Sequence, residues 1–367
     1  MSENRESIET WEINNNVETQ MQKCPGCGAN LVFDPERQAL YCAHCGTVES
    51  LPESLTAKEL DINSAFSSDR NWSEEEASAF ECDNCGAKVV LQKGETATSC
   101  PFCGTAHVMK TNELLGLKPN ALIPFAFGRD KAVELAKQWA KKRLYAPRKF
   151  KKNITTDNLK GVYTPCFTFD SSTLSYYKGR IGKRHTRTVG SGKNRRTETY
   201  IVWRNIAGTY ADFFDDVLVS AGQKMDQKKL DKINPFDTNN SKEYEEKYLL
   251  GFMAYHYDCE LESCWDTAKN RIDVALRNSI LAQYSYDVVD YLNVSTTHSN
   301  VTYKYVMLPV YVGNYKYNKK TYNFYINGET GKVTGKYPIS PLKVIFTVLG
   351  GLALIAIIAA IIYFYGS

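Results

Sequence analysis

The sequence predicts an α+β chain with two N-terminal four-cysteine ribbons, a mostly antiparallel β-rich body with a few helices, and one C-terminal transmembrane helix. Three observations predict it. Two cysteine quartets, Cys24-x2-Cys27-x14-Cys42-x2-Cys45 and Cys82-x2-Cys85-x14-Cys100-x2-Cys103, repeat one spacing 58 residues apart. From Val162 onward, runs such as GVYTPCFTFD, STLSYYKGRI, ETYIVWRNIAGTY and DVLVSA are rich in β-branched and aromatic residues. Val344 to Tyr365 is a run of 22 residues without a charge.

Each quartet closes a stretch of about 22 residues, too small to hold itself together by burying apolar surface. Four thiolates around one Zn2+ do so instead, because metal binding then supplies about 10–16 kcal/mol of folding free energy. The expected cofactors are therefore two structural Zn2+ ions. Each Cys-x2-Cys pair is followed by a glycine, at Gly28, Gly46, Gly86 and Gly104. The backbone must wrap around the sulfur there, and glycine takes φ > 0 without steric cost. Leu31, Val32 and Phe33 with Leu40 and Tyr41, then Val89, Val90 and Leu91, read as short hairpin strands between the knuckles. A redox dithiol needs a βαβ setting that the pattern lacks. A catalytic zinc needs an open coordination position that four thiolates do not leave. His44 lies inside a complete quartet and reads as a solvent-facing spacer.

The expected boundaries are a flexible N-terminus (1–20), ribbon 1 (21–48), an acidic linker (49–79), ribbon 2 (80–110), an α+β cytosolic domain (111–338) and the transmembrane helix (344–365). Within the body, Ala132, Val133, Ala136, Trp139 and Ala140 recur at helical spacing and predict a helix from Arg129 to Tyr145, ended by Pro147. A second helix is expected from about Cys264 to Tyr284, with Ala268, Ile272, Ala275 and Leu276 inward. Asn327-Gly328 marks a turn.

Net charge is +4, unevenly spread. Residues 1–110 carry 18 acidic and 8 basic side chains, and residues 111–367 carry 23 and 37. A ribbon that grips nucleic acid needs lysine and arginine to displace counterions. The linker between these ribbons is instead acidic, with Glu49, Glu53, Glu59, Asp61 and Glu74-Glu75-Glu76. Seven cations lie between Arg180 and Arg196 (Arg180, Lys183, Arg184, Arg187, Lys193, Arg195, Arg196) with no acid among them. Three readings stay open for that segment: a solvated hairpin tip, a contact with anionic headgroups, or a nucleic-acid contact.

The apolar run spans about 33 Å at 1.5 Å per residue, against a bilayer core of about 30 Å. It is apolar all the way round, which does not suit a helix buried along one face. Lys332, Lys336 and Lys343 precede it and no cation follows. The positive-inside rule then places residues 1–343 in the cytosol, as a single-pass, tail-anchored protein of the cell's inner membrane. Thiolate metal sites agree with a reducing compartment. No GxSxG or HExxH occurs, and GETGKVTGK fails the P-loop spacing. No pattern supplies a base for Cys259 or Cys264. The expectation is a protein that is not an enzyme, with no small-molecule substrate.

The paired ribbons, the IPF-to-Trp139-to-AP segment, the YTPCFTFD strand, the LPVYVGNYKY-to-NGETGKVTG segment and the terminal span together resemble bacterial zinc-ribbon membrane proteins of the YdjG type. These are TFIIB-type zinc-ribbon proteins often labelled helicase-like, although no Walker motif is present here. The resemblance covers nearly the whole chain. It implies the eight cysteines as zinc ligands and no catalytic residue. It also implies a membrane adaptor that works with a flotillin-like or virion-core-like protein and with phage-shock protein A in envelope stress. The expected function is a scaffold that recruits protein partners to the membrane through its ribbons. The alternative is a membrane-tethered nucleic-acid-binding protein in replication or partition.

Overall fold

The structure, a computed structural model, describes residues 22–52, 54–66, 78–91, 100–105, 108–111, 116–152, 154–317 and 320–365. The expected flexible N-terminus and the Glu74-Glu75-Glu76 run lie outside the described residues. The first quartet frames three antiparallel strands, β1 (Val32–Asp34), β2 (Ala39–Tyr41) and β3 (Val48–Ser50). β4 (Leu60–Asp61) follows. The second quartet lies with β5 (Ser78–Cys82), β6 (Lys88–Leu91) and β7 (Val108–Thr111). Then come β8 (Ala121–Leu122), α1 (Arg129–Lys141), α2 (Arg148–Lys152), and the long hairpin of β9 (Leu159–Val189) and β10 (Arg196–Phe214). β11 (Val219–Ser220), α3 (Gln227–Ile233), β12 (Lys242–Glu243) and β13 (Met253–Tyr255) precede α4 (Leu261–Ala282). β14 (Val288–Tyr317), β15 (Lys320–Asn327) and β16 (Val333–Gly335) lead to α5 (Pro341–Tyr365). The chain is thus α+β and mostly antiparallel, as expected.

β9 and β14 form the spine. They pair antiparallel from Gly182↔Val288 to Leu159↔Gly313, with register shifts at Val289/Tyr291 and Ser299/Thr302. Runs expected as separate strands are merged, since GVYTPCFTFD and STLSYYKGRI both lie in β9. Their compositions still differ for a reason. Residues 161–171 are all buried, covered on both faces, and read as a near-continuous apolar run. Residues 173–181 alternate buried and exposed, the mark of a sheet with one solvated face. Beyond Gly182, where β14 begins, β9 and β10 continue alone as a projecting two-stranded ribbon.

The other strands attach to this spine. β13 pairs parallel with β9, and β8 pairs parallel with β14. β4, from the segment expected to be an aperiodic linker, pairs with β14 at Thr302↔Asp61. Ribbon 2 joins the main sheet, since β6 pairs with β13 at Ala254↔Val90 and Tyr255↔Val89.

Phe125 anchors the core. It stacks on Phe252 (centroids 4.3 Å apart) and meets Tyr163 at 5.1 Å and Tyr311 at 4.7 Å. Gly328, in the expected turn, is small because a Cβ there would meet the Phe125 ring at 2.5 Å. α1 buries Ala132, Val133, Ala136, Trp139 and Ala140, the five residues its periodicity selects. Trp139 stacks on Phe324. α4 buries Cys264, Ala268, Ile272, Leu276 and Ile280, four residues apart, while Ala275 is half-buried.

The α1 helix is shorter than expected. It stops at Lys141, and residues 142–147 turn away from it. Pro147 has no N–H for the carbonyl four residues earlier, and it biases Ala146 away from helical backbone. The carbonyls of Leu144, Tyr145 and Ala146 are taken instead by Lys343 and by the backbone N–H of Ser340.

Phe125→Ala empties a fully buried site. It should cost about 3–5 kcal/mol, read as a lowered unfolding midpoint of the detergent-solubilised chain. Val274→Ala, at a residue 62% exposed, should change stability by less than about 0.5 kcal/mol. Equal effects would contradict this core assignment.

Candidate metal centres and a buried charge cluster

Both quartets close. In ribbon 1, Cys24 and Cys45 sulfurs lie 3.4 Å apart, and those of Cys27 and Cys42 3.5 Å. In ribbon 2, Cys82 to Cys103 is 3.5 Å and Cys85 to Cys100 is 3.7 Å. Four sulfurs set tetrahedrally at about 2.3 Å from one ion are about 3.8 Å apart. A disulfide needs about 2.05 Å. The donor sets therefore fit a four-coordinate metal ion, and each quartet could hold one.

The knuckles share one construction. The N–H of Gly28, Gly46, Gly86 and Gly104 donates to the carbonyl of Cys24, Cys42, Cys82 and Cys100 at 2.8, 2.9, 2.7 and 2.9 Å. All four glycines have positive φ, between 68° and 78°. A side chain there would strain the wrap around the sulfur. The Thr47 hydroxyl and amide hold the Cys45 thiol down to about 6. In ribbon 2, burial of Cys103 is outweighed by hydrogen bonds from Thr105 and Asn84, and its thiol also falls to about 6. Other thiols of the quartets shift the opposite way: the Ala29 hydrogen bond on Cys27 is outweighed, with neighbouring Cys45 the largest opposing group, so that thiol rises, and burial pushes Cys85 up to about 11 and Cys100 higher still. His44 is exposed.

Neither ribbon stands alone. Leu31, Phe33 and Leu40 of ribbon 1 enter the main core, and Phe33 packs edge-on against Tyr248 at 5.1 Å. The Phe33 N–H donates to Leu250 O at 3.0 Å, and the Gln38 amide to Phe125 O at 2.8 Å. In ribbon 2, Phe102 packs on Tyr255 at 5.0 Å, and Lys224 donates to Cys85 O.

The basic segment 180–196 lies at the projecting end of the β9–β10 hairpin. Acids meet three of its cations, two of them from a neighbouring strand. Arg180 reaches Asp290 at 3.6 Å and covers the Trp203 ring. Arg187 and Arg196 both reach Glu198, at 3.2 and 2.9 Å. Lys183 donates to Ser285 Oγ, and the Arg184 N–H to Asp287 Oδ2. Arg195 is exposed, and the Lys193 side chain lies outside the described residues.

Cys264 is buried and its Sγ faces the carbonyls of Ser220 and Cys259. Burial pushes the Cys166 and Cys264 thiols well above their ordinary value.

One cluster was not visible in the sequence. Glu59, Asp170 and Asp216 place carboxylate oxygens within 4.8 Å of one another. Lys304, 3% exposed, reaches Asp216 at 2.9 Å and Glu59 at 3.4 Å. It sits at the register shift of β14, where Thr302 pairs with Asp170, beside the left-handed backbone of Asn300 (φ 51°) and Asp216 (φ 48°). Burial, then the neighbouring Glu59 carboxyl, pushes Asp170 up to about 7. A hydrogen bond from Asp170 holds Glu59 below its usual range. Burial opposes the charge of Lys304, but Asp216 and Glu59 outweigh it and raise its pKa. The geometry is that of a buried lysine ion-paired with Asp216 and Glu59, with the Asp170 carboxyl beside Glu59. Glu59 and Lys304 are 245 residues apart, so no local pattern announces them.

A cysteine-rich α+β body with two candidate metal centres and an apolar terminal helix (Pro341–Tyr363, mean hydropathy 2.8) defines a class of candidate membrane-span proteins. Within that class the chain is 31% identical over 327 residues to the uncharacterized protein YdjG of Bacillus subtilis strain 168, covering 88% of this chain and 91% of that one. The chain belongs to the YdjG family. No protein-family model and no solved structure matches it.

Two tests follow from this geometry. Elemental analysis of the purified chain should find two metal ions, one in Cys27→Ser, and none in Cys27→Ser/Cys85→Ser. Full metal content in the double variant would remove the quartets as ligands. The second test concerns Asp170, whose folded pKa lies above its unfolded value of about 3.9. Between about pH 4 and 7 the folded state therefore binds more protons, and this group's contribution to stability falls as pH rises. Asp170→Asn should lack that loss, so its unfolding midpoint should gain on the wild type across the window. A pH-independent difference would refute the assignment.

Proposed function

We propose that this chain is a membrane-anchored scaffold, not an enzyme. Its two structural Zn2+ ions, one held by Cys24, Cys27, Cys42 and Cys45 and one by Cys82, Cys85, Cys100 and Cys103, fix a partner-recruiting body at the inner face of the cell membrane. All-thiolate tetrahedral sites favour zinc among the divalent metals. The observation that carries the reading is mechanical. The root of α5 is hydrogen-bonded to the same body into which both quartets are packed. A span attached in this way confines whatever the body binds to the membrane plane, which raises its effective concentration there. Lys332, Lys336 and Lys343 before the span support a cytosolic body. The family resemblance favours a flotillin-like or phage-shock protein A-like partner and a role in envelope stress.

Basic side chains over aromatic rings, Arg180 on Trp203 and Arg187 on Tyr200, favour a second reading as a membrane-tethered nucleic-acid binder in replication or partition. Strong salt-dependent retention of DNA or RNA by the solubilised chain at physiological ionic strength would select it over the scaffold.

Affinity capture from solubilised membranes tests the scaffold. The wild type should retain a flotillin-like or phage-shock protein A-like partner that Cys27→Ser loses while remaining in the membrane fraction. An unchanged partner set in the variant would exclude ribbon 1 as the docking element. Recovery of the intact chain in the soluble fraction would exclude the tether.

A further inference from the structure

The turn between α1 and α2 is stapled to the root of the apolar helix. Ser340 N–H donates to Tyr145 O at 2.8 Å. The Lys343 ammonium donates to Ala146 O at 2.6 Å and to Leu144 O at 3.3 Å. Three successive carbonyls of the turn are thereby held by the residues that enter the span. If α5 crosses a bilayer, Lys343 sits where the charged residues stop and the 22-residue apolar run starts, which is the headgroup level. The turn must sit there too.

The composition of this corner suits that level. Between Glu134 and Asp157 there is no acid. The same stretch carries eight cations, Lys137 and Arg143 together with Lys141, Lys142, Arg148, Lys149, Lys151 and Lys152, and of these last six all but Lys151 are exposed. Among the described residues, none of the six forms an ion pair with a carboxylate. Lys151 is pulled below its ordinary value by burial and then by the like charge of Lys343. Like charges thus crowd here without a counter-charge. Leu144, at the tip of the turn, is 69% exposed, and Ile339 and Leu342 beside the root are 59% and 67% exposed. An apolar tip ringed by cations is the pattern of a surface that meets both headgroups and upper acyl chains.

Distance separates this corner from the other basic segment. α2 is five residues long, about 7.5 Å at helical rise, so its cations stay within about one Debye length of the root, ~8–10 Å. Phe150 of α2 packs on Tyr315 of β14, two residues beyond Gly313, which pairs with Leu159 at the start of β9. Arg180 lies 21 residues further along β9, about 70 Å of strand path at 3.3 Å per residue. Many Debye lengths of screening separate it from the root. Three of its cations, Arg180, Arg187 and Arg196, also have carboxylate partners, which those of the corner lack.

We propose that the α1–α2 corner is a binding surface for anionic phospholipid headgroups of the membrane that α5 enters, and that the 180–196 ribbon is not. The proposal rests on α5 as a membrane span. Lipid phosphates supply the counter-charge that Lys141, Lys149 and Lys152 lack, and Leu144 seats the turn in the interface. The contact adds a second point of attachment beside the span. It fixes the tilt and rotation of the body on the membrane, which a single helix alone leaves free.

The test uses the full chain in nanodiscs of phosphatidylcholine alone or with phosphatidylglycerol, labelled with an amine-reactive reagent and read by peptide mass spectrometry. Labelling of Lys149 and Lys152 should slow by about fivefold in the anionic discs and recover in high salt. Lys178, exposed and 19 residues along β9 from its start at Leu159, should label equally in both. In Lys149→Glu/Lys152→Glu, the protection of Lys141 should vanish, and the variant should still enter the discs. Equal labelling of the corner in both lipids overturns the proposal, as does protection of Lys178 in its place. Protection reproduced in neutral discs by inorganic phosphate also overturns it, since the site would then be for a free anion. A chain that does not enter nanodiscs at all fails differently, by removing the span on which the proposal rests.

Discussion

The antiparallel pairing of β9 with β14 is the constraint from which the rest of the molecule follows. β10, β11 and β13 hang from β9, while β4, β8 and β15 hang from β14. A one-residue slip would turn every side chain of either strand to the opposite face. Such a slip is costly here because residues 161–171 are covered on both faces and their neighbours in β14 are also buried. Of the two register shifts in this pairing, the one at Ser299/Thr302 interrupts it beside the buried stretch. That place gathers Asp170, Asp216, Lys304 and Glu59, so the most expensive polar group of the body sits where the ladder is least regular. A β-bulge is the usual means of re-aiming side chains in that way.

The two ribbons gain their place from the same spine, by different routes. Ribbon 2 joins it through backbone, by way of β6 and β13. Ribbon 1 joins it through side chains, by pushing Leu31, Phe33 and Leu40 into the core. Burying such side chains is worth about 1.5–3 kcal/mol each. An ion held at a quartet would therefore be coupled to packing at the strands, since the same short ribbon presents both the thiols and those side chains.

Local features of this fold were legible in the sequence and distant ones were not. The knuckles were legible because each repeats Cys-x2-Cys-Gly and the glycine is required by backbone geometry. The inward faces of α1 and α4 were legible because burial follows helical period, although the end of α1 was placed four residues late. The pull on that end comes from Lys343, some 200 residues away. The length of β9 was hidden because its two halves differ in how many faces are covered, and so look like different strands. Glu59 and Asp61 read as acidic linker, yet Asp61 pairs with Thr302 and Glu59 accepts from it. Pairing between positions so far apart leaves no periodic trace in either segment.

Charge shows the same difference between composition and structure. Seven cations lie between Arg180 and Arg196 without an acid, and eight lie between Lys137 and Lys152, also without one. Folding brings Glu198 against Arg187 and Asp290 against Arg180, and Glu198 also meets Arg196 on its own strand. The cations of α1 and α2 are spread along a helix and its neighbour, but folding brings them no carboxylate and adds Lys343. A local count of charge therefore does not separate the two segments. What matters is the charge left after cross-strand partners are assigned, and its distance from the root of α5 compared with a screening length of ~8–10 Å. By both measures the corner where the chain enters its apolar helix keeps more uncompensated charge than the 180–196 ribbon, in which Arg180, Arg187 and Arg196 are paired.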